Sequence, residues 1–96
     1  MNVGIYPNEE SALQALVLES FDIFLLTGFE GCCHTAVIVP NGPYSDMFEG
    51  LYETYIPKQI PTAHSYFERN KTLTEVVDEI TLEIPEARFF DQRAGV

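Results

Sequence analysis

The sequence predicts an α+β fold, a small antiparallel sheet with helices on one face. Three observations carry this expectation. Short apolar runs of strand length alternate with stretches whose apolar residues recur at helical spacing. Proline or glycine punctuates most of the boundaries between them. Hydrophobic residues make up 46% of the 96-residue chain, seven Phe and five Tyr among them, enough for one core and too many for a disordered chain. A chain of this length forms a single domain, residues 1–96.

Residues 2–6 (NVGIY) read as a strand ended by Pro7. Asn8 is an N-cap, and Glu9 and Glu10 occupy a first helical turn, where carboxylates favour the helix dipole. The helix runs to about residue 19, with Leu13, Leu16, Val17 and Phe21 as its expected inward stripe. Residues 21–27 (FDIFLLT) and 32–39 (CCHTAVIV) read as two strands joined through the glycine-containing loop 28–31, a β-hairpin.

After the loop 40–43 (PNGP), Ser45 caps a helix reaching about residue 55. Its apolar face is Phe48, Leu51, Tyr52 and Tyr55, and its acidic face is Asp46, Glu49 and Glu53. Pro57 and Pro61 bracket a stiff connector, and residues 62–69 read as one or two helical turns. Thr72 and Glu75 match a capping box, S/T-x-x-E, ahead of the clearest amphipathic stripe in the chain: Leu73, Val76, Val77, Ile80 and Ile84. Pro85 ends that helix, and residues 87–91 (ARFFD) form a last strand. With the middle segment taken as a helical insertion, the order is a split β-α-β arrangement, the ferredoxin-like order.

Charge is distributed unevenly. The first 57 residues hold eight carboxylates (Glu9, Glu10, Glu19, Asp22, Glu30, Asp46, Glu49, Glu53) and no Lys or Arg, so −8 of the formal −10 lies there. Such a field attracts basic surfaces and repels nucleic acid and anionic membranes. No apolar run approaches the roughly 20 residues that span a bilayer. The first residues lack the basic flank and long apolar run of a signal peptide, and the two cysteines are adjacent, which is no disulfide framework. A cytoplasmic protein is expected, with no membrane and no direct nucleic-acid contact.

Cys32, Cys33 and His34 are the densest chemistry-bearing cluster. On a strand Cys32 and His34 share a face and Cys33 takes the other. A zinc site assembled from Cys32, His34, His64 and Glu68 lacks the spacing such sites show, and the bland reading is a core cysteine beside a half-exposed one. A Cys–His nucleophile is disfavoured because neighbours on a strand point apart and acidic surroundings raise a thiol pKa. The glycine loops lack the lysine and flanking motif of a phosphate cradle. No catalytic residue, metal or cofactor is therefore expected, and the chain is read as a non-enzyme.

The remaining signal is the acidic stripe Asp46, Glu49 and Glu53, about 10.5 Å long with a charge roughly every 5 Å, against about 3.4 Å between phosphates on a DNA strand. Glu75, Asp78 and Glu79 add a second cluster, and Tyr52 and Tyr55 supply aromatic contact area. The expected function is an acidic protein-binding module. Its sharper form is an inhibitor that docks by charge mimicry on the basic, nucleic-acid-binding surface of a partner protein or nuclease complex. In type the chain resembles small phage-encoded inhibitors of host defence systems, which are short, acidic, single-domain and free of catalytic motifs. The alternatives are a metal- or ligand-binding module using Cys32, His34 and His64, and an acidic subunit of a larger assembly.

Overall fold

Five strands form one mixed sheet in the order β4-β3-β2-β1-β5. The elements are β1 (Asn2–Tyr6), α1 (Glu9–Leu18), β2 (Ile23–Leu26), β3 (Thr35–Val39), β4 (Ser65–Arg69), α2 (Leu73–Glu83) and β5 (Arg88–Asp91). The structure is a computed structural model that describes residues 1–27, 34–40, 44 and 65–93, with the side chains of 65–69 left aside. The expected helix over 45–55, the turn 28–31 and Cys32, Cys33 and His64 lie outside the described residues.

The α+β class and a split β-α-β unit are both present. β1 pairs parallel with β2 on one side and with β5 on the other, whereas β2–β3 and β3–β4 are antiparallel. The expected hairpin is the β2–β3 pair. Four strands, β1, β2, β4 and β5, therefore point the same way, so the sheet is mixed instead of wholly antiparallel. The unit β1-α1-β2 joins adjacent strands, and β4-α2-β5 is split, carrying the chain past β3, β2 and β1 to the far edge.

That topology also corrects the expected placement of the helices. β-α-β crossovers are right-handed in about 98% of cases. The step from β1 to β2 moves one way along the sheet and the step from β4 to β5 moves the other, so two right-handed crossovers must fall on opposite faces. Two core clusters show that they do. Val3, Ile5, Ile23, Leu25, Val37 and Val39 pack with Val76, Ile80 and Ile84 of the α2 region. Tyr6, Phe24, Leu26, Ala36 and Ile38 pack with Ala12 and Ala15 of α1. Alternation along each strand divides the residues between the faces. β2 and β3 are buried along their whole length, as strands covered on both sides must be.

Residues 65–69, expected to be helical turns, form β4. β3 is fully buried, and its edge distant from β2 needs a hydrogen-bonding partner, which β4 supplies from Thr35↔Arg69 to Val39↔Ser65. The inward stripe of α1 is corrected too. Ala12 and Ala15 are the buried residues, Leu13 and Leu16 are half-buried, and Val17 is 74% exposed. Large rings on the sheet explain the substitution of small for large: Tyr6 stacks on Phe24 at 5.8 Å and Phe21 meets Phe24 edge-on at 5.9 Å, which leaves alanine-sized room beneath the helix.

Candidate functional site

The acidic cluster on α2 begins at its N-cap. The Glu75 N–H donates to Thr72 Oγ1 at 3.4 Å, and the Thr72 N–H and hydroxyl donate to Glu75 Oε1 at 3.1 and 3.0 Å. The capping box read from the sequence is thus complete. These bonds, the backbone one first, hold the Glu75 carboxyl below its ordinary pKa, with Lys71 adding a smaller attraction. Glu79 Oε2 is ion-paired with Lys71 Nζ, and its Oε1 is buried without a hydrogen-bond partner. Two of the three expected α2 carboxylates are therefore engaged within the chain. Asp78 is exposed, and among the described residues it makes no hydrogen bond or ion pair. Asp46, Glu49, Tyr52, Glu53 and Tyr55 lie outside the described residues.

Direction separates the two ends of the sheet. At the carboxyl end of β1, β2, β4 and β5 lie the starts of both helices and, among the described side chains, the cations Lys71 and Arg93. Arg93 is engaged: its Nε and Nη2 donate to Asp91 Oδ1 and Oδ2 at 2.9 and 2.8 Å, and its backbone N–H donates to Oδ1 at 2.9 Å. The guanidinium and backbone bonds lower the Asp91 carboxyl to about 2.

At the opposite, amino end both helices finish. Neither has a basic residue in its last turn, so the negative ends of both dipoles are left uncompensated from within their own helices. Glu19, Glu83 and Glu86 are exposed there, and Arg88 lies at the same end. Asp22, at the same end, accepts the Asn2 N–H at 2.8 Å. Val39 and Ser65, which flank residues 41–64, are register partners at this end as well. Three large aliphatics stand exposed at the last turns: Val17 at 74%, Leu18 at 80% and Leu82 at 82%.

In the sequence Glu19 is one of eight carboxylates among the first 57 residues and Glu83 stands 64 residues further on, so nothing local groups them. A signal was available in the absence of Lys, Arg or His from the last turn of either helix. What the sequence lacked was the knowledge that both helices, on opposite faces, finish at the same end of one sheet.

His34 is half-buried immediately before β3. Among the described residues no group of three or more His, Cys, Asp or Glu side chains is arranged to hold a metal ion. Among them, too, no helix is long and apolar enough to cross a membrane. Two further polar atoms are buried without a hydrogen-bond partner, the Tyr6 hydroxyl and Thr35 Oγ1. Burial, with Glu19 adding to it, pushes the Tyr6 phenol up to about 12. Comparison with protein-family models, with curated proteins and with solved structures finds no match to this chain.

Proposed function

We propose that this protein is an acidic binding module that docks on a basic surface of a partner protein, a surface of the kind that holds nucleic acid. The observation that carries the reading is the amino end of the sheet. Two helix C-termini, each equivalent to roughly half a negative charge, add to the exposed Glu19, Glu83 and Glu86. Exposed Val17 and Leu18 end α1 on one face of the sheet and exposed Leu82 lies in the last turn of α2 on the other. Charge that steers association, next to apolar area that holds it, is the make-up of a recognition surface. Asp46, Glu49 and Glu53, with Tyr52 and Tyr55, belong to the same proposal. They lie in the stretch that joins β3 to β4, whose flanking strand ends meet at this end. Of Glu75, Asp78 and Glu79, Asp78 is the one we include beside Glu83. Glu75 and Glu79 serve chiefly to hold the start of their helix.

In its sharper form the module is an inhibitor that occupies a nucleic-acid-binding groove by imitating the charge of the nucleic acid. The test is affinity capture from a lysate at low salt, followed by a salt gradient and a binding titration against the protein recovered. A basic, nucleic-acid-binding protein is the expected partner. Its affinity should fall steeply as the Debye length shrinks from about 10 Å at 0.1 M salt to about 3 Å at 1 M. Affinity that does not change over that range excludes the mechanism.

A further inference from the structure

We infer that the outer face of α1, formed by Leu13, Leu16 and Val17 with Leu18 beside it, is an apolar anchor for an amphipathic basic segment of a partner protein. α1 turns its alanines to the sheet, packs Leu13 and Leu16 partly against the core at its flank, and leaves Val17 and Leu18 on the outside. Ala12 and Ala15 are buried, Leu13 and Leu16 reach the core only in part, and Val17 and Leu18 are 74% and 80% exposed. Leu13, Leu16 and Val17 fall at i, i+3 and i+4 and make a second apolar stripe beside the buried one. A helix that is apolar around most of its circumference is ordinarily covered around most of it. α1 is covered by the sheet on one side.

Charge chooses among the occupants. The helix has no basic residue, two carboxylates in its first turn and exposed Glu19 at its C-cap, where the dipole is negative. A second copy of a chain with formal charge −10 would bring like charge to like charge. In an antiparallel pair of α1 helices, Glu9 and Glu10 of one would meet the negative end of the other. An anionic lipid surface is repelled for the same reason. A segment with a row of aliphatic residues bordered by Lys and Arg satisfies both the apolar stripe and its acidic rim. This inference rests on the proposed function for the partner's charge, and on α1 itself for the location.

The test uses the full chain and two labelled probes of equal charge, a helical Leu/Lys amphipathic peptide and an oligolysine, followed by fluorescence anisotropy at low salt. The wild-type chain is expected to bind the amphipathic peptide at least about tenfold more tightly than oligolysine, the margin that burial of one or two aliphatic side chains provides. The double variant Val17→Ser, Leu18→Ser should lose that margin while keeping its circular dichroism and its affinity for oligolysine. A margin unchanged in the variant, or absent in the wild type, overturns the inference. So does sedimentation of the wild-type chain as a dimer that the double variant dissolves, because the face then belongs to a second copy. Oligolysine binding that is insensitive to salt counts against the charge-based function and leaves the location of the apolar anchor to be judged by the variant alone.

Discussion

Phe21 closes over the bare backbone of Gly4: a Cβ placed on Gly4 would lie 2.6 Å from Phe21 Cδ2 and 2.8 Å from Tyr6 Cε2. Gly4 is the register partner of Phe24 on one side and of Phe90 on the other. The Phe21 ring meets both, edge-on to Phe24 and stacked on Phe90 at 5.3 Å. The rings of Phe21 and Tyr6 thus fill the space that a side chain at position 4 would take. Gly4→Ala should destabilise the fold by about 1–3 kcal/mol through overpacking. Phe21→Ala should cost about 2–3 kcal/mol through lost ring contacts. Because the second change makes room for the first, the double variant should be more stable than the sum of the two by about 1 kcal/mol. Urea unfolding of the four chains measures this, and strict additivity would refute the contact.

The capping box makes the second prediction. Thr72→Ala removes the hydroxyl that accepts the Glu75 N–H, and should cost about 1 kcal/mol in urea unfolding. Thr72→Ser keeps the oxygen and should cost well under half as much. Equal losses in both variants would mean that the threonine methyl, not the cap, matters.

Acid sensitivity follows from Asp91. Its folded pKa is lowered from 3.8 to about 2 by the Arg93 bonds, so the unfolded chain takes up the proton first. The stability it contributes is present above pH 3.8 and is lost as pH falls through about 2. Glu75 shifts in the same direction and adds to the same acid limb. Asp91→Asn should flatten the fall in melting temperature between pH 4 and about 2, leaving the Glu75 share. An unchanged slope in the variant would show that the Asp91–Arg93 pair forms no better folded than unfolded.

Tyr6 predicts the alkaline limb. Its phenol is raised from 10.0 to about 12, so stability is full below pH 10 and is lost as pH climbs through 12. Its hydroxyl is also buried without a partner, a loss of roughly 1–3 kcal/mol that Tyr6→Phe avoids. The variant should therefore melt higher than wild type at pH 7, and by a wider margin at pH 11. A lower melting point at pH 7 would mean that the hydroxyl is hydrogen-bonded.

Much of this architecture was legible in the chain, and the failures share a cause. Asn8 and Thr72 announce their helices by local chemistry, and the apolar runs around Ile23–Leu26 and Thr35–Val39 announce central strands. Ser65–Arg69 does not announce itself: Ser, Tyr, Phe, Glu and Arg include no β-branched residue, and the strand exists because β3 offers an edge. The buried stripe of α1 was hidden because alanine weighs little in a hydrophobic pattern, although it is what a ring-covered sheet accepts. The faces of the helices depend on strand order, which no local signal encodes. The candidate surface suffered likewise: the capping box marks Glu75 in the sequence, but Glu79 looks like Asp78 there, and only the geometry of Lys71 sets it apart.

The position of β1 has a consequence for how the chain reaches its native state. β1 precedes β5 in the chain by all the other elements of the sheet, yet Asn2 to Ile5 pair with Arg88 to Asp91. Until β5 arrives, one flank of β1 has no hydrogen-bonding neighbour, however early α1 and β2 have joined it. Closing so distant a pair is a slow step, because the entropy of the intervening chain is lost before the contact forms. A nascent or truncated chain would hold that flank open as a waiting groove for any extended peptide. Completion of this sheet amounts to β5 reaching that groove first.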